Sequence, residues 1–156
     1  MGRRRARELA FRTLFQSDRG GQSLLEVWAS VRQELAEEEA DETETSSYGE
    51  PLDAETVAFA EQLVKSYAAH SEAIDERLAA SITGWTFGQM SQTDLNVLRL
   101  AVTEMLHGDD APEVAIEMAV RLAKKFGGDE SGRFVNGVLA KVLRALNRAG
   151  TAADDV

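Results

Sequence analysis

Apolar residues recur along most of this chain every three or four positions, the period of helices that bury one face. From about Arg3 to Ser17, Ala6, Leu9, Ala10, Thr13 and Leu14 share a face, with Arg5, Glu8, Arg12 and Gln16 opposite. Phe11 and Phe15 widen the apolar stripe, and Gly20-Gly21 ends it. Ser23 can cap a second helix carrying Leu24, Val27, Trp28, Val31 and Leu35. Asp53 can cap a third, with Val57, Ala60, Leu63, Val64 and Tyr67 as its stripe. A fourth near Ser71–Ile82 repeats Ile74, Leu78 and Ile82. Gly84 and Gly88 punctuate the following link, where Trp85, Phe87 and Met90 are expected to anchor in the core.

Ser91-Gln92-Thr93-Asp94 resembles a capping box with Asp in place of Glu. The fifth helix, through Leu95, Val97, Leu98, Leu100, Ala101, Val102, Met105 and Leu106, is apolar nearly all round and is expected at the centre. Gly108 stops it, and Pro112 suits the first position of a sixth helix ending in Lys124-Lys125. A seventh, about Glu130–Asn147, carries Val135, Val138, Leu139, Val142, Leu143 and Leu146. Strand-like alternation is absent. The expected fold is all-α: about seven helices in two small bundles sharing a central buried helix.

A length of 156 residues fits one domain over 1–150, with subdomains at about 1–83 and 84–148 and a tail over 151–156. Residues 37–51 are acidic and nearly free of apolar side chains, hence an expected loop. The chain has no cysteine, which removes disulfides, thiolate metal sites and a cysteine nucleophile. No apolar run approaches the roughly 20 residues that span a bilayer. The basic N-terminus is not a signal peptide, because Arg7, Glu8 and Arg12 interrupt any apolar region. The expected location is the cytoplasm.

A net charge of −10 argues against a polyanionic partner, yet the charge is unevenly spread. Residues 1–19 hold six Arg against Glu8 and Asp18, a net of +4; residues 26–55 hold eleven acids against Arg32 alone. Residues 121–148 hold seven bases against Asp129 and Glu130, a net of +5. Screening acts over roughly 8–10 Å, so a nucleic-acid strand responds to the local patch. Four arginines (Arg3, Arg4, Arg5 and Arg7) on an opening helical turn oppose the macrodipole, and read either as a phosphate-binding cluster or as a solvated face. Around Gly127-Gly128 sit Lys124, Lys125, Arg133 and Phe134. A helix start after a Gly-rich loop can hold a phosphate, and an aromatic beside Arg can stack on a base; by residue type alone Phe134 fits core packing at least as well. Gly137 inside a helix costs roughly 1 kcal/mol against Ala, which calls for close helix approach or a polar contact.

His70 and His107 show no metal-type spacing and read as solvated or capping residues. No phosphate-binding loop, dinucleotide turn or fixed carboxylate pair is present, so neither a catalytic site nor a cofactor or metal is expected.

Several stretches resemble the NusB family. Arg3-Arg-Arg-Ala-Arg-Glu-Leu-Ala10 with Leu14-Phe-Gln16 resembles its opening helix, and Asp94-Leu-Asn-Val-Leu-Arg-Leu-Ala101 with Glu104-Met-Leu106 its central one. Pro112 through Gly127 and Ser131-Gly-Arg-Phe-Val-Asn-Gly-Val-Leu139 resemble its closing pair. The resemblance runs from Arg3 to about Leu146. It implies a transcription antitermination adaptor, not an enzyme, that binds the single-stranded boxA element of nascent ribosomal RNA with the ribosomal protein NusE. That assembly joins the elongating RNA polymerase with other Nus factors. By position, Arg3, Arg4, Arg5 and Arg7 would hold phosphates, while Phe134 would offer its ring to a base beside Arg133 and Lys124. Two features depart from the family pattern: the long acidic segment, and Met90-Ser91-Gln92 where an Arg is expected ahead of the central helix. A helical protein-interaction or self-associating module without RNA binding is the other reading of the residues, and the pattern fits a monomer or a homodimer.

Overall fold

The computed structural model describes residues 2–40 and 52–154. Among them are six α-helices, one 3-10 turn and no strand. They are α1 (Gly2–Gly20), α2 (Leu24–Ala40), α3 (Ala54–Ser81), the 3-10 turn Phe87–Gln89, α4 (Gln92–His107), α5 (Pro112–Gly127) and α6 (Asp129–Asp154). No helix among the described residues is long and apolar enough to cross a membrane.

The chain divides into two compact units, residues 1–69 and 70–156. In the first, α1 buries the expected stripe, Ala6, Leu9, Ala10, Thr13 and Leu14, together with Phe11. The Thr13 hydroxyl donates to the Leu9 carbonyl at 2.8 Å, so its burial leaves no orphan polar atom. α1 packs against α2, which buries Val27, Trp28 and Val31. The first half of α3 contributes Ala60, Leu63, Val64 and Tyr67. Asp53 caps α3: its Oδ1 accepts from the Thr56 backbone N–H at 2.7 Å. The hydrogen bonds from Thr56 hold the Asp53 carboxyl below its usual range, helped by the charge of Arg5.

In the second unit α4 is the core. Every residue from Leu95 to Glu104 is buried except Arg99, which is partly covered. Its buried polar residues satisfy themselves locally: Asn96 Nδ2 donates to the Gln92 carbonyl at 2.8 Å, and Thr103 Oγ1 to the Arg99 carbonyl at 2.7 Å. Arg99 reaches outward as a fork. Its Nε and Nη2 donate to the two Asp75 carboxylate oxygens at 3.1 and 3.3 Å, and its guanidinium lies 5.6 Å from the Phe87 ring centre. Ser91 caps α4 by accepting from the Asp94 N–H at 3.0 Å. Against α4 lie α5, through Ala115, Ala119, Leu122 and Ala123, and α6, through Val135, Val138, Leu139 and Val142.

Three features differ from the sequence reading. The expected third and fourth helices form one run, α3, whose backbone leaves helical geometry only at His70 (φ −122°, ψ 19°); no Gly or Pro separates them, so nothing forces a full stop. α6 is helical through Asp154, so 151–154, read as part of a tail, continue the helix; residues 155 and 156 lie outside the described residues. Of the acidic segment, 37–40 form the last turn of α2, and 41–51 lie outside the described residues.

Truncating the centre of α4 should cost more than breaking its one polar tether. Leu98→Ala should lose about 3 kcal/mol of unfolding free energy in urea, and Asp75→Ala about 1–2 kcal/mol, because that ion pair is only partly buried. The reverse ranking would contradict the central place of α4.

Candidate nucleic-acid interface

The α1 arginines are presented unequally. Arg3 and Arg4 are exposed and Arg5 is half-buried, whereas Arg7 is only 6% exposed. The Arg3 and Arg7 guanidinium groups lie over the Phe59 ring, 4.8 and 5.5 Å from its centre. A cation over an aromatic face is attracted by the ring quadrupole, so Phe59 steadies this cluster. The first turn of α1 carries no acid to offset the arginines. Cationic side chains and the positive dipole end therefore add up at one place.

The other three candidates meet where α5 turns into α6. Gly128, at φ +90°, makes the reversal that a side chain would resist. Lys124 is exposed at the end of α5, and its stem lies across Gly132, where an added Cβ would come within 2.6 Å of Lys124 Cγ. The glycine thus lets the Lys124 stem cross the start of α6 next to Arg133, which is exposed. Phe134 is half-buried, with its ring edge-on to Trp85 (centroids 6.5 Å apart, 64° between planes). Phe134 is thus neither a fully enclosed core residue nor a free ring. The first turn of α6 carries Asp129 and Glu130, which already compensate the helix N-terminus. Anion binding at this corner falls to side chains, not to the helix start.

Trp85 corrects the sequence reading. Expected in the core, it is 56% exposed, while Phe87 and Met90 are half-buried. Gly84 at φ +82° turns the chain just before it, and the Gly84-Trp-Thr-Phe-Gly88 stretch lacks the helical period that would mark a buried face. That missing period was the available signal. The structure therefore places Arg3, Arg4, Arg5 and Arg7 on α1 in the first unit, with Arg3 and Arg7 over Phe59, and Lys124, Arg133 and Phe134 with Trp85 in the second.

The two histidines, distant in sequence, stack in the second unit with ring centroids 3.9 Å apart and planes 17° from parallel. Desolvation, and then the charge of His70, hold the His107 imidazole below its ordinary range.

A family model described as the NusB family matches residues 4–144. Transcription antitermination protein NusB of Thermus thermophilus is 50% identical over 144 residues, 92% of this chain and 91% of that protein. The protein of the same name from Deinococcus deserti is 48% identical over 153 residues, 98% of this chain and 87% of that one. Among solved structures, antitermination factors NusB and NusE in complex with double-stranded RNA include a chain that matches with a TM-score of 0.74 at 26% identity. The match covers 92% of this chain and 97% of that one.

Desolvation of His107, with the charge of His70 beside it, should make stability weakly acid-sensitive. With the folded pKa of His107 lowered, the unfolded chain binds more protons around pH 6.5, so stability rises with pH through that window and falls as pH drops below it. His107→Gln should flatten this acid-side loss in thermal unfolding measured from pH 7.5 to 5; an unchanged slope would show that the stack contributes nothing. The effect should be small, because His107 keeps substantial solvent exposure.

Proposed function

The chain belongs to the NusB family, and from that premise we propose that it is a transcription antitermination factor working as an RNA-binding adaptor, not as an enzyme. It binds the boxA element of nascent ribosomal RNA together with the ribosomal protein NusE, and that complex joins the elongating RNA polymerase with other Nus factors in the cytoplasm. The observation that carries this reading is the Trp85–Phe134 pair, one ring largely exposed, beside Arg133 and Lys124.

Bases stack on aromatic faces only when they are unpaired, and Arg and Lys beside the rings take the phosphates between them. This chemistry favours single-stranded RNA, although the structural relative with NusE is described with a duplex. In the first unit Arg3, Arg4 and Arg5 offer phosphate contacts of their own, and the buried Arg7 shares the Phe59 ring with Arg3. Charge sets affinity and its salt dependence, while the rings set the preference for unpaired bases.

Fluorescence anisotropy with boxA RNA, a scrambled strand and a duplex, with and without NusE, tests the reading. Preference for the boxA strand that tightens with NusE is expected. Equal or absent binding throughout would move the function to protein interaction alone. Arg3→Ala/Arg4→Ala/Arg5→Ala should lower the salt slope by about 2, at roughly 0.7 per phosphate on a single strand. Trp85→Ala should instead cost about 1–3 kcal/mol of binding at an unchanged slope. A changed slope for Trp85→Ala, or an unchanged one for the arginine variant, would contradict this division of labour.

A further inference from the structure

α6 turns a second, polar stripe away from its core. Phe134, Gly137, Lys141, Arg144 and Arg148 follow one another at three- and four-residue steps, which places them within an arc of about 80° at 100° per residue. The stripe runs roughly 21 Å along the helix at 1.5 Å per residue. It begins at the ring that meets Trp85, and its far half lines a groove of about 860 Å³. His70 and Arg77 from α3, and His107 from the end of α4, form the other wall. Glu76 is the one carboxylate in that lining, against Arg77, Lys141, Arg144 and Arg148. In a chain of net charge −10, this is a local excess of three positive charges before either histidine is counted.

Two details leave the stripe open to a ligand. Among the described residues, no carboxylate is paired with Arg77, Arg144 or Arg148. A Cβ added at Gly137 would meet nothing within 4 Å, so no neighbouring helix calls for glycine there, although glycine weakens a helix interior. The sequence called for close helix approach or a polar contact at this position, and the structure shows open space around the glycine, between the aromatic pair and Lys141. Lys141 Nζ donates to Thr83 Oγ1 at 2.9 Å, which ties the stripe to the segment that carries Trp85.

We propose that the outer face of α6 is a second RNA-binding track: from the Trp85–Phe134 pair, a single strand passes over Gly137 and lays the phosphates of its flanking nucleotides along Lys141, Arg144 and Arg148. The track rests on the RNA-binding reading above and extends it to RNA outside the recognised element. Guanidinium groups spaced one helical turn apart suit successive backbone phosphates and read no base edge, so the track contributes affinity without sequence preference.

The test compares a short single-stranded boxA RNA of about eight nucleotides with one extended to about sixteen by unrelated flanking sequence, sizes typical of such sites. Wild-type protein should bind the longer RNA about tenfold tighter, with a salt slope steeper by about 2 for three added phosphate contacts. Lys141→Gln/Arg144→Gln/Arg148→Gln should bind both RNAs equally, keep the affinity for the short one and unfold at the wild-type temperature. The charge-conserving swap Lys141→Arg/Arg144→Lys/Arg148→Lys should keep most of the gain. No gain from the extension in wild type, or a full gain in the glutamine variant, would overturn the track while leaving the short-RNA site intact. Failure of wild type to bind even the short RNA would instead refute the reading on which the track rests. If the extension gains nothing and a polyglutamate peptide binds wild type but not the glutamine variant, the groove receives an acidic protein and the proposal falls.

Discussion

Burial of α4 on nearly every side is the constraint on which the second unit depends. A helix apolar all round cannot sit at a surface, so other helices must cover it. α5 does so with alanines that allow close approach, and α6 with Val135, Val138, Leu139 and Val142. Once those positions are committed inward, helical geometry turns Gly137, Lys141, Arg144 and Arg148 outward and leaves the half-buried Phe134 at the edge of the core face. The polar face of α6 is therefore a consequence of core packing as much as of its own sequence.

The one partly exposed position inside that buried run does a second job. Arg99 grips Asp75 with two nitrogens and lies over Phe87, which fixes the end of α3 and the turn before α4 relative to one another. Trp85 lies on the segment held this way, and Gly84 turns it outward to meet Phe134. Packing of the core, a partly buried ion pair and one left-handed glycine thus combine to build an aromatic surface. In the first unit Phe59 takes a comparable part, steadying Arg3 and Arg7. The overall charge of −10 does not oppose RNA binding in this arrangement, because the basic groups are grouped locally and screening confines their field to roughly 8–10 Å.

Much of the fold was legible because burial leaves a periodic trace. The stripes of α1, α2 and α6, the caps at Asp53 and Ser91, and the all-apolar character of α4 each follow from spacing and residue type. Residues without a period were harder to place. Trp85 carries a core-like side chain in a segment without helical rhythm, and residue type alone pointed the wrong way. Arg7 shares its chemistry with Arg3 and Arg4, yet one helical phase difference buries it. His70 and His107 sit 37 positions apart in the sequence, and only the folded chain stacks them. The clues to the outer face of α6 were the basic excess over 121–148 and Gly137, whose cost in a helix called for close approach or a polar contact without saying which.

The most direct test follows the two tryptophan indole N–H signals by NMR while single-stranded boxA RNA is added. Trp28 is 3% exposed in the core of the first unit, and Trp85 is 56% exposed at the aromatic pair. If the aromatic pair receives unpaired bases, the Trp85 signal shifts on titration, together with the amides of Arg133 and Phe134, while the Trp28 signal stays in place. Saturating RNA that leaves Trp85 unmoved, or that moves both indoles alike, would contradict a surface built for unpaired bases.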